Sequence, residues 1–138
     1  MSIQASGSHF CGGVLINDVT VLSASHCFDF WIDPESLRVR LGSIFWNGSD
    51  PDAVERRIAR IHMHPDYSLF EGLNDIAVVI LSEPVPFNDV IRPICLPSGN
   101  EKEAKNRQCW VSGWGAAGAR HISSSVKFDF ITIVCDVF

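Results

Sequence analysis

Apolar residues recur at a spacing of two wherever a period can be read in this chain. Leu37, Val39 and Leu41 alternate with Arg38 and Arg40, the pattern of a strand with one face on a core and the other toward water. Residues 10–16 and 19–22 form two short β-rich runs divided by the turn signal Asn17-Asp18. Residues 54–61 are mixed and are followed by the breaker His64-Pro65-Asp66. Ile76-Ala77-Val78-Val79-Ile80-Leu81 is a continuous apolar run, short enough for a strand buried on both faces. No run keeps a 3.6-residue spacing over three turns, which argues against long helices. Short strands cut by Gly, Pro, Asn and Asp predict an all-β sandwich or barrel.

Composition narrows the class. With 46% hydrophobic and 20% charged residues, the 138-residue chain can build a core and does not have the signature of disorder. Eleven basic against sixteen acidic side chains give a net charge of −5. That balance argues against a general polyanion binder, since affinity for phosphate backbones comes from Lys and Arg, so nucleic acid is not an expected partner. No segment reaches the roughly 18–20 apolar residues of a membrane span. Four of the seven prolines, Pro84, Pro86, Pro93 and Pro97, crowd into a short stretch that precedes the polar run Glu101-Lys102-Glu103-Ala104-Lys105-Asn106-Arg107. This reads as a connection between two structural parts: residues 1–97, a link over 98–108, and a further part over 109–138. In the last of these, Cys109-Trp110-Val111 reads as a strand start. Val126, Phe128 and Phe130 share one parity and Ile131 and Ile133 the other, in an apolar stretch expected to present an exposed edge.

The five cysteines, Cys11, Cys27, Cys95, Cys109 and Cys135, are widely spaced, with no C-x-x-C pair and no Cys/His cluster at zinc spacing. Single cysteines of this kind fit disulfides and an oxidising compartment better than a metal site, the alternative being a cytosolic protein with buried thiols. The chain opens on Met1-Ser2-Ile3-Gln4 without a basic and apolar leader, so no signal peptide is read in it. Five is odd, which leaves at least one thiol without a partner in the chain. Asn47-Gly48-Ser49 is a glycosylation sequon and equally a plain turn. His62 and His64 would share a face of a strand, but no third ligand is evident, and neither metal nor cofactor is expected.

Three segments carry the chemistry: Ser23-Ala24-Ser25-His26-Cys27 preceded by His9-Phe10-Cys11-Gly12-Gly13, then Asn74-Asp75-Ile76-Ala77, then Cys109-Trp110-Val111-Ser112-Gly113-Trp114-Gly115. In this order and spacing, with Arg92-Pro93-Ile94-Cys95-Leu96-Pro97 between them, they resemble the trypsin-like (chymotrypsin-fold) serine proteases over nearly the whole chain. The resemblance implies a trypsin-like antiparallel β-barrel, nearly complete in residues 1–97, and a second barrel only begun in 109–138. It matches His26 to the family's general base and Asp75 to the carboxylate that orients it. Read alone, His26 could be an ordinary half-buried histidine and Asp75 a turn residue after Asn74. A charge at the edge of an apolar strand nevertheless needs a hydrogen-bonding partner. The resemblance also implies a Cys11–Cys27 disulfide beside the base, with Ser23 and Ser25 standing where the family usually has Thr and Ala. Trp114 is expected to pack at the start of the second barrel.

The family's nucleophile motif, Gly-Asp-Ser-Gly-Gly, does not occur in the 138 residues, nor does Gly-x-Ser-x-Gly. Ser112 and Ser123-Ser124-Ser125 do not match it. The family's oxyanion hole and specificity pocket belong to the same later region. The implied activity is peptide-bond hydrolysis by a secreted endopeptidase acting on proteins or peptides, and the expectation for this chain alone is an inactive fragment. The alternative is a catalytically dead homologue that binds another protein. The family's partner for Cys109 lies downstream and its frequent partner for Cys95 lies in a pro-segment, neither of them matched here, and Cys135 has no secure counterpart.

Overall fold

The computed structural model describes residues 1–29, 33–47, 50–97, 109–114 and 132–135. Seven strands form one antiparallel sheet: β1 (Ser2–Ala5), β2 (Ser8–Gly12), β3 (Val14–Leu15), β4 (Thr20–Ser23), β5 (Leu37–Leu41), β6 (Val54–Met63) and β7 (Ala77–Leu81). Their order is β2-β1-β5-β6-β7-β4-β3. The two outermost strands are consecutive in sequence with Gly13 alone between them, so the sheet curls until its ends meet at that residue. The result is a nearly closed all-β barrel. The helical elements among the described residues are two 3₁₀ turns, Ser25–Phe28 and Pro34–Ser36.

Local chemistry explains the corners. Ser6 and Gly7 link β1 to β2 with positive φ at both positions (49° and 78°), as a two-residue hairpin matched to the strand twist requires. The Asn17 side chain accepts from Val19 N (3.0 Å) to close the β3–β4 turn. The ten-residue strand β6 serves two neighbours. Its first half, Val54 through Arg57, pairs with β5. Its second half pairs with β7, after an irregularity between Ile58 and Arg60. A bulge of this kind bends a strand and sharpens its twist, which lets one strand turn the barrel wall.

The alternation read in residues 37–41 is the observed one, with Leu37, Val39 and Leu41 inside and Arg38 and Arg40 half-buried. Ile3, Val21, Leu37, Val39 and Val79 are fully buried, each contributing about 1.5–3 kcal/mol of apolar burial. The run from Ile76 to Leu81 differs from its sequence reading. It alternates rather than being buried on both faces: Ala77, Val79 and Leu81 are buried, Val78 and Ile80 are half-buried, and Ile76 is exposed. A barrel wall has a single core side. The outward Val78 and Ile80 stand opposite Leu22 and Thr20 of β4, so their apolar character serves cross-strand packing.

After β7 the proline-rich segment folds back over the barrel, burying Val85 and Ile91. It hydrogen-bonds through Val85 N to Asp18 O and Ile94 N to Leu15 O, both 2.8 Å, which occupies the open side of β3. A separate two-stranded antiparallel sheet joins β8 (Cys109–Ser112) to β9 (Thr132–Cys135), in the register Cys109↔Cys135, Trp110↔Val134, Val111↔Ile133 and Ser112↔Thr132. Part of the apolar closing stretch, Thr132–Cys135, is therefore paired along one side. The link over 98–108 and residues 115–131 and 136–138, including Val126, Phe128, Phe130 and Ser123 to Ser125, lie outside the described residues. Trp114, two residues past β8, reaches the first barrel. Its Nε1 donates to Ile44 O (2.8 Å), and its ring meets His9 edge-on at 5.5 Å, because an indole N–H leaving water needs an acceptor and the loop after β5 offers one.

The corner at Gly13 supplies a test. A Cβ there would sit 2.8 Å from Leu22 O and 3.0 Å from Val21 Cγ1, and the first of these is backbone that cannot yield cheaply. Gly13→Ala is expected to cost about 1–3 kcal/mol, read as a lower urea midpoint with an unchanged slope.

Candidate active site

Two pieces of chain meet at one carboxylate. After β4 the backbone leaves the wall in a tight 3₁₀ turn holding Ser25, His26 and Cys27. Before β7, Asn74 adopts φ 53°, a left-handed conformation that Asn tolerates better than most residues. That kink sets Asp75 at the mouth of the barrel, facing the turn. Asp75 Oδ1 accepts from His26 N (2.8 Å), and Asp75 Oδ2 lies 2.6 Å from His26 Nδ1. Each carboxylate oxygen therefore takes one hydrogen of the same residue, which fixes both the backbone and the ring of His26. Ser25 Oγ donates to Ile76 O (2.6 Å), adding a tie from the neighbouring residue. The side chains of His26 and Asp75 keep 19% and 31% of their surface exposed. The couple sits at the rim, half-shielded from water, which strengthens its hydrogen bonds.

A carboxylate only accepts, so ring Nδ1 must carry the hydrogen. The other nitrogen, Nε2, is then the basic one in the neutral ring. His26 Nε2 is buried and has no hydrogen-bond partner among the described residues. Buried polar atoms are normally satisfied, and exceptions gather where chemistry occurs. The arrangement presents a proton acceptor of fixed tautomer with its lone pair unused.

The turn is pinned from beneath. Cys11 of β2 and Cys27 are joined in a disulfide with a Cα–Cα separation of 6.2 Å, inside the usual range for such bridges. Ser23 Oγ donates to Gly12 O (2.9 Å), tying β4 to the same place. Among the described residues, one group of three metal-ligand atoms lies close together, those of Cys11, His26 and Cys27, and two of its members are spent in the disulfide. His62 and His64 take no part in it. A further tie was not legible in the sequence: Tyr67 Oη donates to Asp29 Oδ2 (2.7 Å), fastening the loop ahead of Asp75 to the residue just past the His26 turn. Its signal, a tyrosine following His64-Pro65-Asp66, points to a loop and gives no partner. Burial first, then the Asp29 hydrogen bond, then the Asp29 and Asp75 charges push the Tyr67 phenol above its ordinary value. Asn47 is exposed in a turn, while Gly48 and Ser49 of its sequon lie outside the described residues.

Two measurements test this geometry. In Asp75→Asn the amide can accept from His26 N but must turn its NH₂ toward the ring, so His26 is expected to move its hydrogen from Nδ1 to Nε2. Nitrogen-15 shifts of the imidazole read the tautomer, and an unchanged Nδ1–H would contradict the geometry. Tyr67 is the single tyrosine of the chain, so the phenolate absorbance band reports on it alone. A folded-state value above the unfolded one means that the native form holds its proton more tightly. The stabilisation is then complete below about pH 10, the ordinary phenol value, and declines as pH rises past it. Ionisation is expected above pH 10 in the native chain and lower in Asp29→Asn.

Comparison with known proteins gives the family. The family model described as Trypsin matches residues 1–134. Over 115 residues the chain is 36% identical to transmembrane protease serine 9 of Rattus norvegicus, an alignment that covers 83% of this chain and 11% of that protein.

Proposed function

The chain belongs to the trypsin family, and from that premise we propose that it carries the proton-transfer half of a serine endopeptidase site, with His26 as general base and Asp75 as the group that orients it. The observation that supports this most is the doubly anchored imidazole whose Nε2 is left without a partner. A base held in this way takes the proton from a nucleophilic hydroxyl as it attacks a peptide carbonyl and returns it to the leaving amine. Asp75 stabilises the imidazolium that forms between those events. The reading divides the chain into the barrel of residues 1–97 that holds the base, a connection over 98–108, and the opening of a second barrel over 109–138. The substrate class is a protein or peptide, and the setting is extracellular, where the Cys11–Cys27 disulfide persists. No helix among the described residues is long and apolar enough to cross a membrane.

The nucleophile is the other half. Within the 138 residues there is no Gly-Asp-Ser-Gly-Gly segment, so nothing here corresponds to the hydroxyl that would be activated or to the donors that would receive the oxyanion. Each such donor is commonly worth about 3–4 kcal/mol of barrier, and without a nucleophile no acyl intermediate forms. The alternative, a retired protease kept as a binding module, accounts less well for an intact base and acid. Purified residues 1–138 are expected to turn over no fluorogenic arginyl peptide and to take up no serine-directed phosphonate. Turnover that disappears in His26→Ala would refute the division of labour proposed here.

A further inference from the structure

We propose that the outer wall made by β5 and β6 is a second recognition surface, one that takes an acidic segment of a partner protein. Residues 1–97 contain no lysine, and their arginines are Arg38, Arg40, Arg56, Arg57, Arg60 and Arg92. All but Arg92 lie on β5 and β6. Acidic side chains outnumber basic ones in this part of the chain, so the positive charge is gathered on one pair of strands against the prevailing sign. The register brings it together. Arg38 stands directly opposite Arg57, and Arg40 opposite Glu55. Opposed residues share a face, and here it is the outer one, since Leu37, Val39 and Leu41 are buried. Strict alternation after Arg57 would turn Arg60 inward. The irregularity between Ile58 and Arg60 returns it to the outer face, opposite the outward Ile80, and leaves Ile61 to pack on the core.

Neutralisation within the wall is incomplete. Arg56 has the other parity, opposite Val39, and its Nε is spent on Pro84 O (3.1 Å). Glu55 offers one carboxylate, 3.9 Å from Arg38 Nε. Arg57 and Arg60 are exposed and make no ion pair or side-chain hydrogen bond among the described residues. Like charges set directly opposite each other destabilise a sheet, and local conflicts of this kind collect at functional sites. The guanidinium fixes the class of ligand, because its planar fork of donors matches a carboxylate. Arg57 and Arg60 follow one another along an extended strand, a track for a linear segment. The range of the charge chooses between a peptide and a long polyanion. Ionic fields fade within about 8 Å at physiological salt. A short acidic peptide confined to the wall meets the arginines, whereas a long sulfated glycan would run past them onto a body in which acidic side chains prevail. Neither His26 nor Asp75 enters this inference, so a failed catalytic reading would leave it standing.

The test titrates a fluorescently labelled hexaglutamate peptide with the full 138-residue chain and follows its anisotropy. Saturable binding is expected at low salt, weakening as salt rises to about 0.15 M. The double variant Arg57→Gln plus Arg60→Gln is expected to lose affinity by about fivefold or more. Arg92→Gln removes an arginine that lies off the wall and 2.9 Å from Asp89, and is expected to leave the affinity unchanged. In the free chain at low salt, Arg57→Gln is expected to hold or raise the urea midpoint, since it removes the opposed like charges. The same midpoint separates lost binding from lost folding. No saturable binding, an equal loss in Arg92→Gln, or a lowered midpoint in Arg57→Gln would overturn the proposal. So would a heparin oligosaccharide that binds more tightly than the peptide and loses its affinity in the double variant.

Discussion

The structure of the site rests on one carboxylate. Asp75 accepts from the backbone N–H and the ring N–H of the same histidine, and in doing so joins the turn after β4 to the start of β7. Burying a carboxylate at the edge of an apolar strand is unfavourable unless its oxygens are satisfied. Two hydrogens from His26 satisfy it, and the same two bonds remove the freedom of the imidazole to rotate or change tautomer. A structural need and a chemical one are met by a single contact. The sequence separation of 49 residues is spanned because β4 and β7 are neighbours in the wall, paired from Thr20↔Ile80 to Ser23↔Ala77.

The supports around that contact differ in kind. The Cys11–Cys27 bond is covalent and restricts the unfolded chain as well as the folded one. The ties from Ser25 to Ile76 and from Tyr67 to Asp29 are hydrogen bonds that act only once the barrel has formed. Together they hold the histidine turn from below, from the side and from the loop ahead of the acid. This is the preorganisation that acid–base chemistry needs, since a base that must first be positioned loses much of its advantage.

Much of the barrel could be read from period-two patterns, because a strand with one face on a core must alternate, and residues 37–41 do so openly. The run ending at Leu81 misled, since apolar side chains on the outer wall pack against their cross-strand neighbours and look like core in one dimension. His26 and Asp75 stood out through the motifs around them, yet their contact could not be derived from spacing alone. The Tyr67–Asp29 bond and the reach of Trp114 to Ile44 were invisible, because both depend on which loops the closed wall brings together. The missing nucleophile motif, by contrast, is a plain property of the residue order.

The way the wall is threaded bears on the order of assembly. Every strand of the seven-stranded sheet lies between Ser2 and Leu81, and the covering segment is complete by residue 97. A chain emerging from the ribosome thus has the histidine, its carboxylate partner and the strands that align them before Cys109 has been translated. Domains commonly fold as units in the order of their synthesis, and here His26, Asp75 and every strand that aligns them lie within the first 81 residues. Whatever is added later in synthesis follows an imidazole and a carboxylate whose aligning strands are all already made.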